Sequence, residues 1–202
     1  MTENINTWKV KSLEDWEYWL NSELTKAENV YKEDPDRLIS SYNREQSHIK
    51  DYHGRELLEL IQNADDAGIN FTGESKLKIK LLKNELYIAN TGIPFSPEGI
   101  KSLMVSDISP KEALGEKYIG YKGLGFRSIL GWASSVAIIS GNAKVGFSRA
   151  GANKWLSHLM GSHESIATRV KLYTDKTQKK MPVSVLDAPV CLNGNVDDKE
   201  FI

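Results

Sequence analysis

Polar and apolar positions repeat along this chain with two different periods, and the switch from one to the other marks out its elements. Ser12 is followed three residues on by Asp15, then by Trp16, Trp19, Leu20 and Leu24 at intervals of three and four. That spacing gathers the apolar residues on one side of a helix, and a serine with an acid at the third helical position is a start signal, although glutamate is the stronger partner. Asp34-Pro35-Asp36 ends this helix, a second is predicted over 37–50, and a third over 54–67, where Gly68 would supply a left-handed terminator. Residues 1–50 read as a helical accessory segment ahead of a domain spanning 51–202. From residue 76 the period becomes two. Leu77, Ile79 and Leu81 alternate with lysines, Lys83-Asn84 is a turn pair, and 85–90 is a second strand, so 76–90 is a hairpin.

Beyond the hairpin, Ser96 and Pro97 open a short helix reaching about residue 105. A polar stretch, 106–117, separates it from a glycine-rich run and a helix in which Phe126, Ile129 and Leu130 are expected to grip the sheet. Residues 135–140 and 144–148 flank Gly141-Asn142, a favourable hairpin dipeptide, and 155–160 reads as a further short helix. Ala167-Thr168-Arg169-Val170 fits a strand or a helix equally well.

Three clusters carry candidate chemistry. In the helix over 54–67, Glu59, Asn63 and Asp66 stand at i, i+4 and i+7 and project together, while Leu57, Ile61 and Ala64 form a separate apolar stripe. Asn63 offers a neutral oxygen to a hard cation such as Mg²⁺, and Glu59 can orient and deprotonate a water attacking a phosphate. Asn90-Thr91-Gly92 follows the second strand directly, and Gly92 would let backbone approach a ligand with no side chain in the way. Gly120, Gly123 and Gly125 then lead into Phe126, offering successive free amides at a helix N-terminus, where anions are favoured. Lys122 lies inside that loop, and Lys111 and Lys117 precede it. Read together, the clusters are three walls of a nucleotide pocket.

In order and spacing they resemble the GHKL superfamily of ATPases, and the wording around Glu59 and Gly123 is most similar to the sacsin-like ATPase domains, over roughly residues 50–150. The resemblance implies an α+β two-layer sandwich, with helices covering one face of a mixed, mostly antiparallel sheet. It implies ATP and Mg²⁺ as ligands, with Glu59 as general base and Asn63 as the metal ligand. Asn90 and Gly92 would form the base-recognition edge, and Asp66 would act through water or the adenine edge. Lys122 and the amides of Gly123, Leu124, Gly125 and Phe126 would hold the β- and γ-phosphates. The interval 106–117 would be the ATP lid, which brings Lys111 and Lys117 towards the phosphates. Asn90 stands where the family has aspartate. Its oxygen still accepts a hydrogen bond, but its nitrogen also donates, which weakens the basis for choosing adenine over guanine. The family's closing strand bears a Gly-Thr pair. The stretch 167–170 lacks the glycine, and 181–189 could instead be the connection to a strand beyond Ile202, making the chain a fragment of a longer protein. The function implied is a conformational ATPase whose slow hydrolysis rearranges a partner or a homodimer formed through the N-terminal segment or the lid. A nucleotide-sensing module without turnover and a DNA-associated ATPase like MutL or gyrase are the rival classes.

Composition narrows these options. Lys and Arg total 26 against 27 Asp and Glu, a net charge of −1, so no global field recruits nucleic acid or an anionic membrane. The single Cys191 excludes an internal disulfide framework. No leader-like or membrane-spanning apolar run is present, and a cytoplasmic location is expected. His48, His53, His158 and His163 show no metal-binding spacing.

Overall fold

The computed structural model describes residues 12–104, 125–179 and 181–192. Helix α1 (Leu13–Glu33) starts from a full capping box: the Ser12 hydroxyl accepts from the Asp15 backbone, and the Asp15 carboxylate accepts from the Ser12 backbone at 3.0 Å. Helix α2 (Pro35–Asp51) begins two residues before its predicted start, because proline at the first helical position loses no hydrogen bond and already has helical φ. Helix α3 (Glu56–Gly68) ends differently from expectation. Gly68 is its last helical residue and has no positive φ. A Cβ there would meet only the Ser75 side chain, its hydroxyl at 2.7 Å.

Strands β1 (Leu77–Leu82) and β2 (Glu85–Asn90) form the predicted antiparallel hairpin, pairing Leu77 with Asn90 and Leu82 with Glu85 across a turn that holds Lys83 at positive φ. Helix α4 (Pro97–Met104) follows, with the Ser96 hydroxyl accepting from the Gly99 backbone at 3.1 Å. After it come α5 (Gly125–Ser128), a 3₁₀ turn (Ile129–Gly131), β3 (Ser135–Ser140) and β4 (Ala143–Ser148). Helix α6 (Arg149–Ser162) is longer than the predicted 155–160 because Ser148 caps it from the end of β4. Residues 167–170 lie inside α7 (Glu164–Thr177), which settles the open alternative as helix. A short strand, β5 (Val190–Cys191), pairs antiparallel with β4.

The architecture is α+β. In place of one mixed sheet, the described residues carry two antiparallel sheets, β1-β2 and β3-β4-β5. The larger one supplies Val145 and Phe147 to a hydrophobic core completed by Trp16 and Leu20 of α1, Leu38 and Ile39 of α2, Leu156 and Leu159 of α6, and Ile166 of α7. Each such side chain contributes about 1.5–3 kcal/mol of burial. Aromatic and aliphatic residues of the first fifty thus share one core with the later elements. Helix α5 packs mainly on α2 and α3, and Phe126 and Ile129 join the same core as Val145 and Phe147 of the larger sheet.

Residues 182–189 run through the core without regular structure, and all of them are buried. Backbone polar groups there need partners other than water. Glu45 of α2 supplies them: one carboxylate oxygen accepts from the Ser184 hydroxyl (2.7 Å) and from the backbones of Val185 (2.8 Å) and Leu186 (3.2 Å). Arg149 lies 3.3 Å from the other oxygen and donates to the Val183 carbonyl at 2.8 Å. Asp187 accepts from the Tyr31 hydroxyl at 2.6 Å. Burial pushes the Glu45 carboxyl up, against the pull of Ser184, the Leu186 backbone and Arg149, and the Asp187 charge adds to the rise. Burial likewise raises Asp187, with Tyr31, Ser41 and Arg127 drawing it partly back.

Candidate functional site

An ordinary surface helix turns leucines inward and acids outward. Helix α3 keeps to this only in part: Leu60 packs against the core and Asp65 is exposed, but two acids are buried and two leucines are not. Its buried residues are Glu56 and Asp66, the latter only 5% exposed, while Leu57 and Leu58 are 43% and 50% exposed. Of the predicted stripe, Leu57 is exposed, whereas Ile61 and Ala64 are half-buried. Glu59 and Asn63 are half-buried too, on the same arc of the helix as Asp66. The buried acids are the informative departure from the usual sorting of side chains.

Glu59 is held by a neighbour that the sequence reading passed over. The Arg55 guanidinium sits 3.5 Å from its carboxylate and 5.6 Å from the centre of the Tyr52 ring. The i, i+4 spacing of Arg55 and Glu59 is the signal that could have shown this pair. At the start of the helix, Glu56 accepts from its own backbone N–H and from that of Gly54, and it lies 3.3 Å from His53; together these hold its carboxyl below the usual range.

The second cluster docks on the far end of α3. The Ile93 backbone donates to the Ala67 carbonyl at 2.9 Å, and Gly92 has φ +155°. A Cβ on Gly92 would meet the Ala67 carbonyl oxygen at 2.6 Å. The glycine is therefore required by the contact with α3. Thr91 fixes the approach: its hydroxyl donates to the Glu74 carbonyl at 2.7 Å and accepts from the Lys76 backbone at 2.8 Å, which ties the α3–β1 connection to the end of β2. Asn90 is exposed, and its amide nitrogen donates to the Thr91 carbonyl at 3.2 Å.

The third cluster reaches the same helix through α5, in which Phe126 is buried. This helix has only four residues before the 3₁₀ turn, so the macrodipole expected to favour an anion is small. Gly125 is its first residue. Lys111, Lys117, Lys122, Gly123 and Leu124 lie outside the described residues, as does the stretch 106–117. Sequence segments centred near 60, 91 and 126 thus meet around α3. Among the described residues there is no cluster of three or more His, Cys, Asp or Glu suited to a metal, and no helix long and apolar enough to cross a membrane.

A 73-residue stretch of this chain is 40% identical to Protein NO VEIN of Arabidopsis thaliana, covering 36% of this chain and 3% of that protein. The matched stretch is thus a small part of a much longer polypeptide. No family model and no solved structure matches the chain.

Proposed function

We propose that this chain is the nucleotide-binding part of a GHKL-type conformational ATPase, binding ATP with Mg²⁺ and hydrolysing it slowly. The observation that carries the reading is the face of α3 on which Glu59 and Asn63 are half-buried and Asp66 is buried, beside exposed Leu57 and Leu58. Convergence of the Asn90–Gly92 and Phe126 segments on that helix supports it. Glu59, oriented by Arg55, accepts the proton of the attacking water. Asn63 presents one neutral oxygen beside that carboxylate. This suits Mg²⁺, which takes one or two protein oxygens and completes its shell with water and phosphate oxygens. When bound, the ion neutralises charge developing on the phosphates. Asn90 and Asp66 read the base edge directly or through water, and the amides of Gly123 to Phe126 with Lys122 hold the phosphates. Catalysis on such a site is mainly positioning and charge stabilisation, which fits slow turnover coupled to rearrangement of a partner or a second copy.

Replacing Glu59 by Ala should lower turnover at least a hundredfold and leave Mg-ATP affinity within a few fold, because the base touches water and not nucleotide. Asn63→Ala should weaken both. Single-turnover hydrolysis measured beside equilibrium binding separates the two effects, and wild-type turnover in Glu59→Ala would refute the assignment of the base. Wild-type binding with no turnover in the parent chain would leave a nucleotide sensor in place of an ATPase.

A further inference from the structure

Arg127 is 1% exposed, the second largest of the fully buried side chains after Trp16. A fully buried guanidinium is costly unless its charge and donors are matched, so a position that only fills space would be apolar. The residues flanking it, Phe126, Ser128 and Ile129, are buried as well. Its Nη2 donates to the carbonyl of Leu103, in the last turn of α4 and 24 residues away in sequence, at 2.7 Å. One side chain therefore joins α5 to the end of α4. Through α5, which packs on α3, it sets where Phe126 stands relative to the helix bearing Glu59 and Asn63.

Resting on the nucleotide reading above, we propose that Arg127 is a positioning residue of that site, fixing α5 against α3 and beside the end of α4 without touching nucleotide. A guanidinium meets the Leu103 carbonyl from a planar, rigid fork of donors, a geometry that the compact ammonium of lysine cannot reproduce. Arg127→Lys should therefore keep the fold but let α5 drift.

The test is steady-state ATP hydrolysis with Mg²⁺ by the full chain, the parent against Arg127→Lys. We expect KM to rise at least tenfold with kcat within threefold. A strut with no bearing on the site would instead lower the folded fraction, which reduces apparent kcat and leaves KM unchanged. Should Arg127→Lys fail to fold, Arg127→Gln decides: it is neutral, keeps an N–H donor for the Leu103 carbonyl without the guanidinium fork, and should raise KM at least tenfold. Unchanged KM in the variant that folds overturns the role of Arg127 while leaving the nucleotide reading intact. A parent chain that neither binds nor hydrolyses Mg-ATP overturns both.

Discussion

A Cβ at Gly92 would sit 2.6 Å from the Ala67 carbonyl oxygen and 3.0 Å from the Ala67 Cβ, at a φ of +155°. Neither contact can relax without moving α3, because the Ile93 backbone is bonded to that same carbonyl. Gly92→Ala should therefore cost about 2 kcal/mol in urea unfolding, from backbone strain and the clash together; a loss below about 0.5 kcal/mol would mean that the loop is not seated on α3. Glu45 governs a different property. An unfolded glutamate ionises near pH 4.5, and the buried one keeps its proton to higher pH. Below the unfolded value both states are protonated and the contribution of the buried group is complete. As pH rises through the folded value the core must hold a charge, and that contribution is lost. Asp187 has the same sign, whereas Glu23 has the opposite one. Burial raises Glu23, but Lys26 and Lys101 at 2.6 and 2.9 Å outweigh it, so its contribution is lost as pH falls. Glu45→Gln, neutral at every pH, should lose less stability than the parent between about pH 4.5 and neutrality. Denaturation curves measured across that range check it, and parallel pH profiles would count against the buried charge.

Among the elements, those with a strict local period were legible and those fixed from a distance were not. Both hairpins follow from alternation plus a turn pair, and the capping of α1 and α4 follows from Ser12 and Ser96. Strand β5 has two residues, too few for a pattern, and 182–189 is held by Glu45 from about 140 residues away. Helix α3 was correctly placed, and periodicity separated the face bearing Glu59, Asn63 and Asp66 from Leu57, Ile61 and Ala64 without fixing which of them packs. In the structure Asp66 is buried and Leu57 and Leu58 are exposed. This arrangement makes a prediction of its own. Leu58→Lys should change stability by no more than about 0.5 kcal/mol, as a surface substitution does, whereas Asp66→Ala should cost at least about 1–3 kcal/mol through the groups it leaves unpaired. Chemical denaturation of both variants checks it; the reverse order would restore the leucine face as the buried one.

For the molecule as a whole, the sequence established the α+β class and named residues that the fold brings to one helix. Motifs separated by some thirty residues each meet there because Ile93 bonds to the end of α3 and α5 packs along it. Arg55 and Arg127 were missed, the first a visible i, i+4 pair, the second a buried charge that donates to Leu103, 24 residues away in sequence. Trp16, Leu20, Leu38 and Ile39, from the first fifty residues, lie in the same core as Phe147 and Leu159. We propose that a nucleotide sits against the face of α3 bearing Glu59, Asn63 and Asp66, and backbone amide shifts of isotope-labelled protein titrated with Mg-ATP decide it. Saturable shifts concentrated on residues 56–68, 90–93 and 125–129 are expected; no shifts at millimolar nucleotide, or shifts confined to the surface dish around Arg169 and Leu172 that lies between the α1–α2 junction and α7, would overturn the proposal.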